Sequence, residues 1–195
     1  MAKPIVRPSI HGTDGPDVIS GTDFGETISG HGGNDTIYGN GGDDTIYGQE
    51  GDDIVNGGAG SDVIGFGNGS DTMTGGSGAD RFFGAAWEWT NQSPWISVIT
   101  DFEVGHDLLD LSRFDADERT VPGIIRGGKT PGNEAFQLVA NTDGVTPGHL
   151  DISYGTDLHG GAITIVSGYT DTAPGADIVI HLAGTINPTA GDFIL

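Results

Sequence analysis

Eight carboxylates recur at every ninth residue in the first part of the chain: Asp17, Glu26, Asp35, Asp44, Asp53, Asp62, Asp71 and Asp80. A second column keeps the same phase two residues later, in Ile19, Ile28, Ile37, Ile46, Val55, Ile64, Met73 and Phe82. From Gly12 to Phe83 there are 13 acidic residues and one arginine, a net charge of −12, so the acids cannot be paired within the stretch. Evenly spaced anions, each beside one apolar residue, point to cation binding coupled to folding.

The elements that position these acids are nonapeptides, starting at Gly12, Gly21, Gly30, Gly39, Gly48, Gly57, Phe66 and Gly75. Two consecutive copies read GHGGNDTIYGNGGDDTIY. Glycines at positions one, two and four of a copy permit positive φ and a tight reversal. Positions seven to nine, as in Thr36-Ile37-Tyr38, form a short β-favouring run with an apolar centre. One nonapeptide is thus a turn plus a strand, and a closed coil takes two. Acids 18 residues apart then stack in two columns: Asp17, Asp35, Asp53, Asp71 on one edge and Glu26, Asp44, Asp62, Asp80 on the other. Successive coils lie about 4.8 Å apart, and calcium takes oxygen ligands at about 2.3–2.6 Å. Stacked carboxylates would repel by about 1 kcal/mol in water and about 3–4 kcal/mol at an effective dielectric near 20. An all-oxygen setting favours calcium over zinc or copper, and magnesium's small octahedral preference suits it less.

The repeat G-G-x-G-x-D-x-U-x resembles the RTX (repeats-in-toxin) calcium-binding nonapeptide, and the expected fold class is an all-β parallel β-roll. The resemblance implies that carbonyls complete each calcium site, from positions one and three of one loop and two and four of its neighbour. The residues so implicated are Gly30, His31, Gly32 and Gly33; Gly39, Asn40, Gly41 and Gly42; Gly48, Gln49, Glu50 and Gly51; and Gly57, Gly58, Ala59 and Gly60. Three gaps on each edge give up to six Ca2+ sites. Loop two departs from the pattern with Phe24 and Glu26, and loop seven opens on Phe66, which marks both as weaker. One buried aliphatic per nine residues contributes about 1.5–3 kcal/mol, less than the cost of ordering nine backbones. The roll should therefore require its metal to fold.

Beyond the repeats, alternating runs predict strands at 95–102, 107–112, 134–140, 149–155, 162–169 and 177–183. The expected organisation is a lead-in over 1–11, the roll over 12–83, and a cap of short, mostly antiparallel strands over 84–195. VITDFEVGHDLLDLSRFDAD, AFQLV and the terminal GDFIL resemble the C-terminal domain of serralysin-type metalloproteases, and mannuronan C5-epimerase R-modules share much of the pattern. That resemblance implies that Asp101 or Asp107 completes the last calcium site. It also implies that Asp192, Phe193, Ile194 and Leu195 form a C-terminal signal read by a type I secretion ABC transporter, giving a secreted protein without an N-terminal signal peptide.

Composition narrows the rest. The net charge of −21, with 7 basic residues against 28 acidic, argues against nucleic acid and anionic membrane. No cysteine is available for disulfides or thiolate sites, and no apolar run is long enough for a membrane span. No HExxH or GxSxG motif marks a catalytic centre. The expectation is a non-catalytic, monomeric calcium module. The alternative is a calcium-dependent polysaccharide-binding module, with Trp87, Trp89 and Trp95 as groove candidates; Tyr38 and Tyr47, nine apart, fall on opposite faces of the roll.

Overall fold

The computed structural model describes residues 8–84, 96–112, 137–138, 149–169 and 178–194. The turn-and-strand nonapeptides give β1 (Ser9–His11), β2 (Val18–Ser20), β3 (Thr27–Gly32), β4 (Thr36–Gly41), β5 (Thr45–Glu50), β6 (Ile54–Ala59), β7 (Val63–Phe66), β8 (Thr72–Ser77) and β9 (Arg81–Gly84). Odd and even strands separate into two sheets, as a coil of two nonapeptides requires. Every pairing within the roll is parallel with an offset of 18, as in Ile28↔Ile46↔Ile64↔Phe82 and Ile19↔Ile37↔Val55↔Met73. These eighth-position side chains lie between the two sheets and are all buried. The chain is a parallel β-roll.

The remaining strands are β10 (Ile96–Ile99), β11 (Leu108–Asp110), β12 (Gln137–Leu138), β13 (His149–Thr156), β14 (Ala162–Tyr169), β15 (Ile178–Ala183) and β16 (Phe193–Ile194). Each of the six strands read from alternation coincides with one of them. The seven-stranded sheet runs β1-β3-β5-β7-β9-β11-β16, and the nine-stranded one β12-β13-β14-β15-β10-β8-β6-β4-β2. The cap therefore grows out of the roll: β10 and β11 add to β8 and β9 in parallel. Among the described strands, antiparallel pairing is confined to β13–β14 and β14–β15. The expectation of a mostly antiparallel cap underrated this continuation, because alternation shows that a strand exists but not its direction. Ile99, Phe102, Leu109, Leu111, Val166, Ile180, Leu182 and Phe193 extend the same core past the last coil.

Glycine acts in two ways. Left-handed backbone occurs at positions two and four, including the non-glycine residues His31, Asn40 and Gln49 with φ of 77°, 75° and 78°. No first-position glycine among the described residues has a positive φ. That position, expected to need conformational freedom, instead needs space.

Candidate metal centre

Each acid of the ladder is tied to the next coil through its own backbone. The Asp17 amide donates to Asp35 Oδ1 at 2.9 Å, Asp35 to Asp53 Oδ1 at 2.9 Å, and Asp53 to Asp71 Oδ1 at 3.0 Å. On the other edge Glu26 donates to Asp44 Oδ1 at 2.7 Å, Asp44 to Asp62 Oδ1 at 2.8 Å, and Asp62 to Asp80 Oδ1 at 2.8 Å. The two columns expected from the 18-residue coil are thus hydrogen-bonded ladders.

Those bonds use one oxygen of each carboxylate. The Oδ2 atoms of Asp35, Asp53, Asp62 and Asp80 are buried and accept no hydrogen bond. A buried carboxylate oxygen without a donor is costly, and a cation is the natural way to satisfy it. The first-position glycines explain where it would sit. A Cβ placed on Gly57 would run into Asp62 Oδ2 and lie 2.7 Å from the Gly75 carbonyl oxygen. On Gly30 it would run into Asp35 Oδ2 and lie 2.7 Å from Gly48 O. The missing side chain leaves a cradle in which a carboxylate oxygen and a carbonyl of the next coil face each other.

Carbonyls at other loop positions also approach the following coil. The position-four carbonyls of Gly33, Gly42, Gly51 and Gly60 abut Gly51, Gly60, Gly69 and Gly78 of the following coil, and the position-two carbonyl of Asn40 abuts Gly58. Gln49 O accepts the Asn68 amide at 2.7 Å, and the position-three carbonyl of Asn68 accepts from Gly51 at 2.8 Å. Gly32, Gly41, Glu50 and Ala59, the corresponding third positions, lie in the parallel ladder that joins the coils. Among the described residues no three imidazole or carboxylate groups converge on one point. The donor set is therefore paired carboxylates plus carbonyls, a hard all-oxygen set that fits calcium.

Burial and stacking disfavour the charged form of the inner carboxylates. Burial first, then the neighbouring carboxylates Asp71 and Asp35, push Asp53 up to about 7, against the donated Asp35 amide. Burial likewise raises Asp62, Asp71 and Asp80 to about 6. Asp35 also moves upward, chiefly through burial.

The first two rungs differ. Thr13 donates its amide (2.6 Å) and hydroxyl (2.8 Å) to Asp17 Oδ2, which holds that carboxyl below its ordinary range. Thr22 also donates to Glu26, its amide to Oε2 at 3.0 Å and its hydroxyl to Oε1. Both acids are turned back onto their own loops.

At the far end the two columns terminate differently. The Asp80 amide donates to Asp107 Oδ1 at 2.9 Å, so Asp107 adds one more rung; its Oδ2 accepts from Glu103 N at 2.8 Å. Asp101 instead accepts the Gly75 and Gly76 amides, at 2.9 and 2.8 Å, with its two oxygens. The other column ends on a hydroxyl, Asp71 N to Ser97 Oγ at 3.4 Å.

Ser97 was not foreseen, because it lies outside the nine-residue period. Nor was a second ladder at position five, where Asn34 Oδ1 accepts from Asp52 N at 3.0 Å, Asp52 Oδ1 from Ser70 N at 2.8 Å, and Asp43 Oδ1 from Ser61 N at 2.9 Å. The run of Asn, Asp and Ser at that position was its visible signal.

The C-terminal residues are part of the fold. Asp192 is buried, accepts the Thr189 amide, and accepts from Gly105 N at 2.5 Å. Phe193 is buried and pairs with Leu109 in β11. Leu195 and the three tryptophans lie outside the described residues. Tyr38 and Tyr47 stand on different sheets, as expected.

Segments 20–55, 29–64 and 67–86 match the family model of the RTX calcium-binding nonapeptide repeat (4 copies), so the chain carries these repeats. The chain is also similar to two solved subunits of the Azotobacter vinelandii mannuronan C5-epimerase. For AlgE6R3 the identity is 24%, covering 99% of this chain and 86% of that one, with a TM-score of 0.46. For AlgE6R2 the identity is 26%, covering 97% of this chain and 92% of that one, with a TM-score of 0.46. No curated protein matches. No helix among the described residues is long and apolar enough to cross a membrane.

Proposed function

We propose that this RTX-repeat chain is a secreted calcium-binding module that folds when several Ca2+ ions enter the gaps between its coils, and that it has no catalysis of its own. The observation that carries the reading is the row of buried Oδ2 atoms, of which those of Asp35 and Asp62 face a carbonyl of the next coil across Gly30 and Gly57. The inner sites are Asp35–Asp53, Asp53–Asp71, Asp44–Asp62 and Asp62–Asp80, with Asp107 closing a further gap against Asp80.

Such a design suits export in the unfolded state. Where calcium is scarce, mutual repulsion keeps the repeats open; at the calcium levels outside a cell, where modules of this kind bind at about 10⁻⁴–10⁻³ M, the roll closes. Asp192 and Phe193 are buried in the folded cap, so in this reading a type I transporter contacts the terminal segment before the cap closes.

Circular dichroism of the full chain in EGTA and in millimolar calcium tests the proposal. A large gain of β signal on adding calcium is expected. Equal β content in both conditions would overturn it.

A further inference from the structure

At the start of the roll two imidazoles face each other across neighbouring strands. His31 Nε2 lies 3.3 Å from His11 Nδ1, with ring centroids 5.4 Å apart and planes tilted by 31°. The backbone produces this meeting. β1 pairs with β3 so that Ile10 and Ile28 share the core, which turns His11 outward. His31, at position two of its loop with positive φ, reaches back over the preceding coil. Asn40 makes the same reach on the other edge, its Nδ2 donating to Ser20 Oγ at 3.0 Å and Gly21 O at 2.9 Å. At the His11–His31 position both partners are metal-binding side chains.

We propose that His11 and His31 form a site for one imidazole-seeking divalent transition metal ion, with zinc as the representative, distinct from the calcium ladder. Two nitrogens on one tetrahedral zinc, each at about 2.0–2.1 Å, must lie about 3.3–3.4 Å apart. The observed 3.3 Å matches that bite. Ser9 supplies a second, independent feature. Its Oγ lies 2.7 Å from His11 Nε2. A proton held on Nε2 by Ser9 leaves the lone pair on Nδ1, the nitrogen that faces His31; this is the usual role of an outer partner to a ligating histidine.

No third imidazole or carboxylate joins the pair among the described residues, so solvent completes the coordination. Imidazole selects zinc, copper or nickel and leaves calcium to the carboxylates, so the two metals do not compete. A bound ion would link the three-residue strand β1 to β3 in the first coil of the roll.

The test is a zinc titration, by calorimetry, of the full chain held in millimolar calcium. Saturable uptake of one zinc per chain is expected, with loss in both His11→Ala and His31→Asn. Asparagine is chosen because Asn40 already adopts the same left-handed backbone at the equivalent position, so the fold is kept; unchanged β signal in calcium verifies this. Ser9→Ala should weaken binding about 10-fold or more. Zinc uptake that is absent from the wild-type chain, or that persists unchanged in both histidine variants, overturns the proposal.

Discussion

The inner rungs of the roll and its first two occupy equivalent places in the coil, yet their carboxylates hold on to different things. Asp53 and Asp62 use one oxygen for the neighbouring coil and leave the other buried without a donor. Asp17 and Glu26 are already engaged by Thr13 and Thr22. Position in a repeat therefore does not by itself determine which carboxylate oxygens are left without a donor. What differs is whether the loop supplies its own donors, as the amides and hydroxyls of Thr13 and Thr22 do together.

The sharpest way to break this contrast is to fill a cradle. Gly57→Ala places a methyl against Asp62 Oδ2 and Gly75 O. Overpacking of this kind costs about 1–3 kcal/mol, so calcium-loaded thermal unfolding should move clearly downward; an unchanged transition would show that the cradle is loose.

Next is the charge itself. Asp53→Asn keeps an acceptor for the Asp35 amide but removes the anionic Oδ2. Losing a charged contact costs about 1.5–3 kcal/mol, roughly 10- to 100-fold in affinity at that site. Asp17→Asn should shift the calcium midpoint less than Asp53→Asn does, and equal shifts would erase the distinction between the regions.

Acid offers a third route. The folded pKa values of Asp53, Asp62, Asp71 and Asp80 are raised, to about 7 for the first and about 6 for the others. Protonation then favours the folded state: the benefit is complete below the ordinary carboxylate range near 4 and is lost as pH rises through 6–7. Calcium-stripped protein should show more β signal at pH 4 than at pH 8; the reverse order would contradict the burial of the inner carboxylates.

The smallest effect is expected from Thr13→Val, which removes one hydroxyl donor from Asp17 and keeps the amide. The Asp17 carboxyl should titrate slightly higher by NMR while the calcium midpoint hardly moves.

Much of this was legible in the residues. The nine-residue phase placed Ile28, Ile37, Ile46 and Ile64 in the core and stacked Asp35 on Asp53, because a solenoid coil touches only its neighbours and local spacing becomes spatial spacing. The first-position glycines were legible as necessary but not for the right reason, since a shortage of space and a need for positive φ look the same in one letter. The division of labour between Asp101 and Asp107 was not legible either. Both lie in one acidic turn, and only the paths of β10 and β11 show that Asp107 continues the column while Asp101 binds the Gly75 and Gly76 amides.

The sequence by itself determined the period, the 18-residue register, the core column and the two stacked columns of carboxylates, all consequences of repetition between adjacent coils. Tertiary structure decided where repetition fails. Asp71 meets Ser97, Asp80 meets Asp107, Gly105 meets Asp192, and His11 meets His31. The physical reason is that the ends of a roll must satisfy their last amides and carbonyls with groups from outside the period, and no spacing rule says which groups those will be.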